Sequence, residues 1–416
     1  GTAWDFDNNE LKVYIDGVLD TTLTVPSLSD YWTPQIGNNN YTFSVNFGQQ
    51  PFKYTPPTGY KKLNTYNLPD STIVDGSQYM NPVLYDGTSA TQSITGVGFS
   101  PDLVWVKSRT SANIHVFHDS VRGATKYLSS DSTSAETTNA NYLTSFDSDG
   151  FTFGNASTPN GSGRSYVSWN WRGSDSSPVT NTDGTITSTV SANPTSGFSV
   201  VTWTGDGGSN QSVGHGLGEQ PDMVIIKKRN KSENWYVAST SSGYDTNLAY
   251  HLHLNTTGAV EGNNDPYYLN SIGSIADRLL LSNGTSNNGG NENGINYVAY
   301  CWHSVDGYSK IGSYTGLNNS DGPFVYLGFK PAFIMFKRTD SAQNWFIFDN
   351  TRSPYNTIDE ELRPNTSDAE VTGQTNVDYL SNGFKIYSSG SAGINQAGNY
   401  IYMAFAENPF KQSLAR

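Results

Sequence analysis

Gly98-Phe99-Ser100-Pro101-Asp102-Leu103-Val104-Trp105-Val106-Lys107-Ser108-Arg109 decides how the rest of the chain is read. The pattern returns as Gly218-Glu219-Gln220-Pro221-Asp222-Met223-Val224-Ile225-Ile226-Lys227-Lys228-Arg229. It returns again as Gly328-Phe329-Lys330-Pro331-Ala332-Phe333-Ile334-Met335-Phe336-Lys337-Arg338. Each copy is a turn, a proline, an apolar run and a basic stop. The copies lie roughly 110 to 120 residues apart, about one domain length. The chain therefore reads as tandem copies of one module.

Strand side chains alternate, so Leu103 and Trp105 point one way and Val104 and Val106 the other. Both faces are apolar, which predicts a central strand covered on both sides within a β-sandwich. A proline at the start of such a strand is tolerated, because its missing N–H falls at the end of the ladder. The fold class expected is all-β, with tandem sandwich modules of a jelly-roll-like kind.

The length of 416 residues suggests about three or four domains. Charged residues make up 15% of the chain against a usual ~25%, with Gly, Asn, Ser and Thr in their place. Aromatics reach 13%, which excludes a disordered chain. The net charge of −13 disfavours nucleic acid and anionic membrane as partners. Cys301 is the sole cysteine, so no intramolecular disulfide framework exists. No stretch approaches the ~18 apolar residues of a membrane span.

Residues 1–52 carry Leu11-Lys12-Val13-Tyr14-Ile15-Asp16-Gly17, an alternating run ending in a hairpin signal. Tyr41-Thr42-Phe43-Ser44-Val45-Asn46-Phe47-Gly48 alternates again. Together with Asp5-Phe6-Asp7-Asn8-Asn9-Glu10, these motifs resemble the C-terminal part of a SPRY domain, a concanavalin-like sandwich. Half a sandwich leaves an apolar face uncovered, so upstream sequence or a neighbouring chain is expected to complete it. Residues 53–69, with Pro56-Pro57, Gly59 and Lys61-Lys62, read as a semi-rigid linker.

Module one spans about residues 70–173, module two 184–308 and module three 310–410. An aromatic ring follows each basic stop at a fixed spacing: His115, Trp235 or Trp345. Then come Asp119, Ser239 or Asp349, and after these Arg122, Ser242 or Arg352. Acid and base are present together in modules one and three and absent together in module two. Joint loss is what a paired Asp and Arg predict, since removing one strands the other. A structural pair is favoured over a catalytic carboxylate, because no second acid recurs at a fixed spacing.

Asp149-Gly150 and Asn382-Gly383 signal hairpins, for which they would supply positive φ. Each module closes on an aromatic strand: Tyr166-Val167-Ser168-Trp169-Asn170-Trp171, Tyr297-Val298-Ala299-Tyr300-Cys301-Trp302 and Tyr400-Ile401-Tyr402-Met403-Ala404-Phe405. The second, fourth and sixth positions are large, so that face belongs to a core. The small residues between them are tightly covered or lie against a neighbour. Core packing is preferred to sugar stacking for these aromatic rows, Trp171 and Trp302 among them. Module two carries the longest insert, with Asn283 to Gly294, read either as a recognition loop or as a surface tip.

His251-Leu252-His253 puts two imidazoles on one strand face, a spacing zinc uses, but no third ligand lies nearby in sequence, so a structural role is preferred. Asp147-Ser148-Asp149-Gly150 lacks the closing Glu of a calcium loop. Asp359-Glu360-Glu361 reads as a solvated charge run. Phosphate-loop, nucleophile-elbow and zinc-protease motifs are absent. No catalytic residue, cofactor or metal site is assigned. The residues singled out, all structural, are Asp119, Arg122, Asp349, Arg352, Trp105, Trp171, Trp302 and Trp345.

The repeated Gly-Phe-x-Pro-Asp-Leu-Val-Trp-Val-Lys pattern, Asn344-Trp345-Phe346-Ile347-Phe348-Asp349-Asn350, and Tyr400 to Phe410 resemble bacteriophage virion proteins of the tail-fibre or capsid-fibre type. The resemblance covers about residues 98–410. It implies a non-enzymatic, surface-exposed structural protein of the virion. The expected partners are other virion proteins and further copies of the chain, a homotrimer first, with host surface glycan as a ligand to test. A carbohydrate-binding protein and a glycan depolymerase are the alternatives.

Overall fold

A computed structural model describes residues 1–5, 7–25, 44–46, 50–62, 67, 70–241, 250–261, 269–282, 289–374, 377–387, 393–409 and 411. Phe6, most of the Tyr41–Gly48 run, Ser242 and Asn283–Asn288 lie outside them. The chain divides into two compact units, Gly1–Asp70 and Ser71–Arg416.

In the first unit, strands Thr2–Asp5, Glu10–Ile15 and Val18–Thr24 form an antiparallel meander. Asp16 and Gly17 both take positive φ, the geometry a tight hairpin with right-handed twist requires. Ile15, Val18, Leu19 and Leu23 are exposed on this unit. The described residues 50–62 form no strand or helix.

The second unit is all-β and antiparallel, with the repeated stretch at the same place in three sheets. The first sheet runs Met80–Asp86, Ser165–Trp171, Leu103–Ser108, Val116–Asp119. The third runs Ser309–Gly316, Gly398–Pro409, Phe329–Arg338, Trp345–Asp349. The second has the same centre, with Phe198–Thr204, Asn296–Trp302, Met223–Lys228 and Tyr236–Ser239 in that order. It is extended at its edges by Val179–Asn181, Ser188–Asn193 and His251–His253. The register repeats: Leu103 pairs with Trp171, Met223 with Trp302 and Phe333 with Phe405. All three residues are fully buried.

Over each of these sheets lies a three-stranded outer sheet. In module one it is Leu143–Asp147, Gly150–Phe153 and Gln92–Thr95. In module two it is Ser212–Gly214, Arg278–Leu281 and Leu269–Ser274. In module three it is Phe324–Tyr326, Gly383–Ile386 and Val377–Leu380.

The alternation of the repeated strand now has a physical address on each side. Val104 and Val106 face the outer sheet of module one, with Phe151 and Phe153. Val224 and Ile226 do the same in module two, with Leu279 and Leu281. Leu103, Trp105, Met223, Ile225, Phe333 and Met335 face the other way, into one core shared by all three modules. Each inner sheet is thus covered on one face by its own outer sheet and on the other by its sister modules. The closing strands follow suit. Val167, Trp169, Trp171, Val298, Tyr300 and Trp302 enter the shared core, whereas Tyr297, Ala299 and Cys301 face module two's own outer sheet. The large face is the one turned to the neighbours, and the small face is covered from within. In the shared core Trp171 stands edge-on to Trp302, Phe333 and Phe405 at ring separations of 6.1, 5.6 and 5.8 Å, the arrangement aromatic quadrupoles favour.

The turn glycines Gly98, Gly218 and Gly328 have φ of +88°, +75° and +86°, a region costly for any residue with a Cβ. Of the hairpin glycines, Gly150 takes positive φ, at +139°, as Asp-Gly leads one to expect. Gly383 is outside the positive-φ set, contrary to the expectation for Asn-Gly. An added Cβ there would lie 2.1 Å from the carbonyl oxygen of Val325, and at Gly150 2.0 Å from that of Ile94. Close approach of the third outer strand is what excludes a side chain. Pro101 and Pro221 precede their strands, while Pro331 sits inside Phe329–Arg338 at a break in register, the sort of place where a missing donor is tolerated.

Candidate functional site at the seams between modules

The three modules touch in a cycle. The ring at the fixed spacing after each basic stop reaches a backbone carbonyl of the preceding module. Trp235 Nε1 donates to Ser129 O at 2.7 Å, Trp345 Nε1 to His253 O at 2.9 Å, and His115 Nε2 lies 3.0 Å from Arg363 O. His115 Nδ1 accepts from Trp105 Nε1 at 3.0 Å, so its Nε2 carries the proton and donates as an indole would. Backbone bonds close the same cycle: Glu136 N to Arg229 O, Val260 N to Thr339 O and Glu370 N to Arg109 O. Module one leans on three, two on one and three on two. The unit has pseudo-threefold order within a single chain.

At two seams this frame carries a buried ionic network. Between modules one and two, Arg122 Nε donates to Asp119 Oδ2 at 2.5 Å and its Nη1 to Glu136 Oε2 at 3.2 Å. Arg229 Nε of module two meets Glu136 at 2.9 Å, and Tyr300 Oη donates to Asp119 at 2.7 Å. Between modules three and one, Arg352 meets Asp349 at 2.6 Å and Glu370 at 3.0 Å. Arg109 of module one grips Glu370, with Nη2 at 2.8 Å, and Trp169 Nε1 donates to Asp349 at 2.9 Å. The side chains of both Asp–Arg pairs are wholly buried. Burial by itself disfavours the Arg122 cation, but Asp119, Tyr300 and Glu136 outweigh it and hold the group above its ordinary value. Burial likewise raises the Glu136 carboxyl, and Arg229 and Arg122 more than reverse it.

Among the described residues the third seam has no such network. Where the others place Asp, Glu, Arg and an N–H or O–H donor it has Ser239, Val260, Thr339 and Met403, and in sequence Ser242 stands in place of the Arg of the pair. The equivalences rest on strand register and the shared backbone bonds. All five positions change together. The structure pairs the acid and base singled out in sequence, and adds Glu136, Glu370, Arg109, Arg229, Tyr300 and Trp169, which sequence reading did not assign. Their signal was present: Arg109 and Arg229 follow the repeated strand, and Thr339 replaces them where the pair is lost.

The basic stop has its own use. Lys107, Lys227 and Lys337 are fully buried. Lys107 Nζ donates to the carbonyls of Ser108 at 3.0 Å and, in module three, Ser367 at 3.1 Å. Lys337 Nζ donates to Gln343 O at 2.8 Å and, in module two, Thr257 O at 3.1 Å. Lys227 Nζ binds Lys228 O at 2.9 Å and Lys231 O at 3.4 Å. Burial lowers these ammonium groups to about 8 in Lys107 and Lys227 and about 7 in Lys337.

Trp105, Trp171, Trp302 and Trp345 are all buried in the shared core. Cys301 is buried too, and burial pushes its thiol up to about 12, which makes it unreactive. Asp359-Glu360-Glu361 is not a solvated run: Glu360 pairs with Arg109 at 3.1 Å, and Glu361, buried, with Arg363 at 2.6 Å. Asp149 accepts from the N–H groups of Gly96 and Gly98, so it clips a turn. The described end of the module-two insert folds back, with Trp203 Nε1 on Gly290 O at 3.1 Å and Tyr297 Oη on Gly289 O at 2.8 Å. A 440 Å³ groove opens between modules one and three, lined among others by Asp75, Asn81, Lys330, Asn350, Glu407 and Asn408. Lys330 and Glu407, both of module three, pair at 2.6 Å on its wall.

Fold and seams together define an all-β protein whose three sandwich modules close on one core. The chain belongs to the family described as a domain of unknown function, DUF7483, whose model matches residues 75–409. No curated protein matches the chain, and no solved structure does.

Proposed function

We propose that this chain is a non-enzymatic structural protein of a bacteriophage virion, exposed as part of a fibre or as capsid decoration and contributing to host attachment. The observation that supports this reading best is the direction of the recurring polar groups. Asp119, Arg122, Asp349, Arg352 and the three stop lysines are all buried, and Lys107 and Lys337 reach carbonyls of a neighbouring module. What the modules share is therefore spent on rigidity, which suits a particle component, and what they do not share lies on the outside. The phage assignment itself rests on the sequence resemblance. Other virion proteins are the proposed partners, with a homotrimer as the assembly.

A second reading, carbohydrate binding, is favoured by the groove that holds Asn81, Asn350, Asn408 and Glu407, since carboxamides and carboxylates recognise sugar hydroxyls. One experiment separates the readings. Purified protein is incubated with surface polysaccharides of candidate hosts, and binding and released reducing ends are measured. Neither binding nor cleavage leaves the spacer role, and binding alone adds receptor recognition. Cleavage lost on replacing Asp75 or Glu407 would overturn the non-enzymatic reading. Labelling of purified particles with antibody to the chain, followed by electron microscopy, tests the virion assignment directly.

A further inference from the structure

We propose that His251, His253 and Glu261 form a binding site for a divalent transition metal of the zinc type, on the edge of module two beside the seam that lacks the ionic network. The third ligand that sequence spacing did not provide is brought in by strand pairing. His251 and Glu261 face each other across an antiparallel bridge, each N–H donating to the other's carbonyl at 2.9 Å. The ligating atoms of the three side chains all lie within 4.8 Å of one another.

The geometry is near what a tetrahedral ion needs. His253 Nε2 lies 3.7 Å from Glu261 Oε2, whereas zinc bonds of 2.0–2.1 Å put neighbouring ligand atoms about 3.3 Å apart. The Glu261 side chain is 54% exposed and can rotate to close the difference. His253 is already oriented as a ligand. Its Nδ1 lies 3.2 Å from Trp235 O, so the proton sits there and the Nε2 lone pair faces Glu261, the arrangement found around metal-bound imidazoles. The His251 ring is held against Tyr236 at 4.9 Å.

The donor set belongs to module two alone. The register places Tyr127, Ser129 and Thr137 at the equivalent positions of module one, and Glu361, Arg363 and Val371 in module three. The site also sits where module three rests on module two. His253 O accepts from Trp345, and Val260, next to Glu261, donates to Thr339 O. A metal there would fix this edge at the seam where the described residues form no Arg–carboxylate network. Two imidazoles and a carboxylate suit zinc, cobalt or nickel and are a poor set for magnesium. Three protein ligands leave a further position to water.

The test uses the full chain without an affinity tag, stripped by chelator and dialysed against zinc chloride or magnesium chloride. Metal content is read by mass spectrometry, and melting temperature is followed against metal concentration. The expected result is about one equivalent of zinc retained, a melting temperature that rises with zinc, and no response to magnesium. Glu261→Gln should weaken zinc affinity at least about tenfold and His253→Gln should abolish retention. Glu261 is exposed, so the metal-free melting temperature of Glu261→Gln should match the parent's, which separates lost binding from lost folding. Absence of retained zinc in the parent, or equal retention in both variants, would overturn the proposal.

Discussion

Asp119 and Arg122 show what a buried charge demands of its neighbours. Each is fully buried, and together they use Glu136, Arg229 and Tyr300 to satisfy the remaining lone pairs and protons. Removing one member strands the others in a low dielectric, which costs about 3–5 kcal/mol. Asp119→Ala should therefore lower unfolding free energy by that amount in urea titration. Replacing all five residues of this seam by those at the equivalent positions of the seam between modules two and three should cost far less than the sum of the single changes. Additive losses would show that the five do not act as a unit. The stop lysines make a second prediction. The unfolded chain keeps their protons up to about 10.5, whereas the folded chain releases them from about 7 to 8. The unfolded state thus binds more protons in this range, so stability rises with pH. The melting temperature should climb from pH 7 to pH 8, below the pH of about 8.5 at which the unfolded chain's Cys301 begins to ionise and, with the buried tyrosines higher still, acts in the opposite sense. Lys337→Met should flatten that climb, and an unchanged slope would refute it.

At the scale of the element, two constraints on glycine, backbone conformation and close approach of a neighbouring strand, act to different extents at Gly98 and Gly150. Gly98 needs its positive φ but has open space around it, so Gly98→Ala should cost about 1–2 kcal/mol. At Gly150 φ is positive as well, and a methyl group would in addition overlap the Ile94 carbonyl. The Gln92–Thr95 strand would have to move off its partner, and Gly150→Ala should cost more than about 2 kcal/mol. Denaturant titration of both variants checks the order, and a reversed order would sink the close-approach argument. The same distinction shows how far element-level reading reaches. The central strands, the closing strands and both hairpins are legible from alternation and turn residues, because these are local rules. That Asn382-Gly383 is held by a third strand is not, since the strand that approaches it comes from Phe324–Tyr326, far away in sequence.

For the whole molecule, the shared core sets the unit of folding. Trp171 touches Trp302 of module two and Phe333 and Phe405 of module three. A module alone would expose that face to water. Residues 70–173 expressed separately should lack a cooperative melt, whereas residues 71–416 should unfold in one transition seen alike by tryptophan fluorescence and circular dichroism. A cooperative melt of the single module would contradict the shared core.

The sequence by itself determined that the chain is all-β, that it repeats three times, that each repeat has a strand buried on both faces, and that Asp119 pairs with Arg122 and Asp349 with Arg352. Periodicity and paired loss carry that information, and both are properties of short stretches and of their comparison. Only the tertiary structure decided what covers the second face of each strand: the sister modules, arranged in a cycle. It also decided that the stop lysines are interior, that Glu360 and Glu361 are paired, and that Glu261 stands beside His251 and His253. Each of these depends on residues distant in the chain meeting across a seam or a strand pair. Burial of a charge is fixed by what packs over it, and no local pattern of residues encodes that.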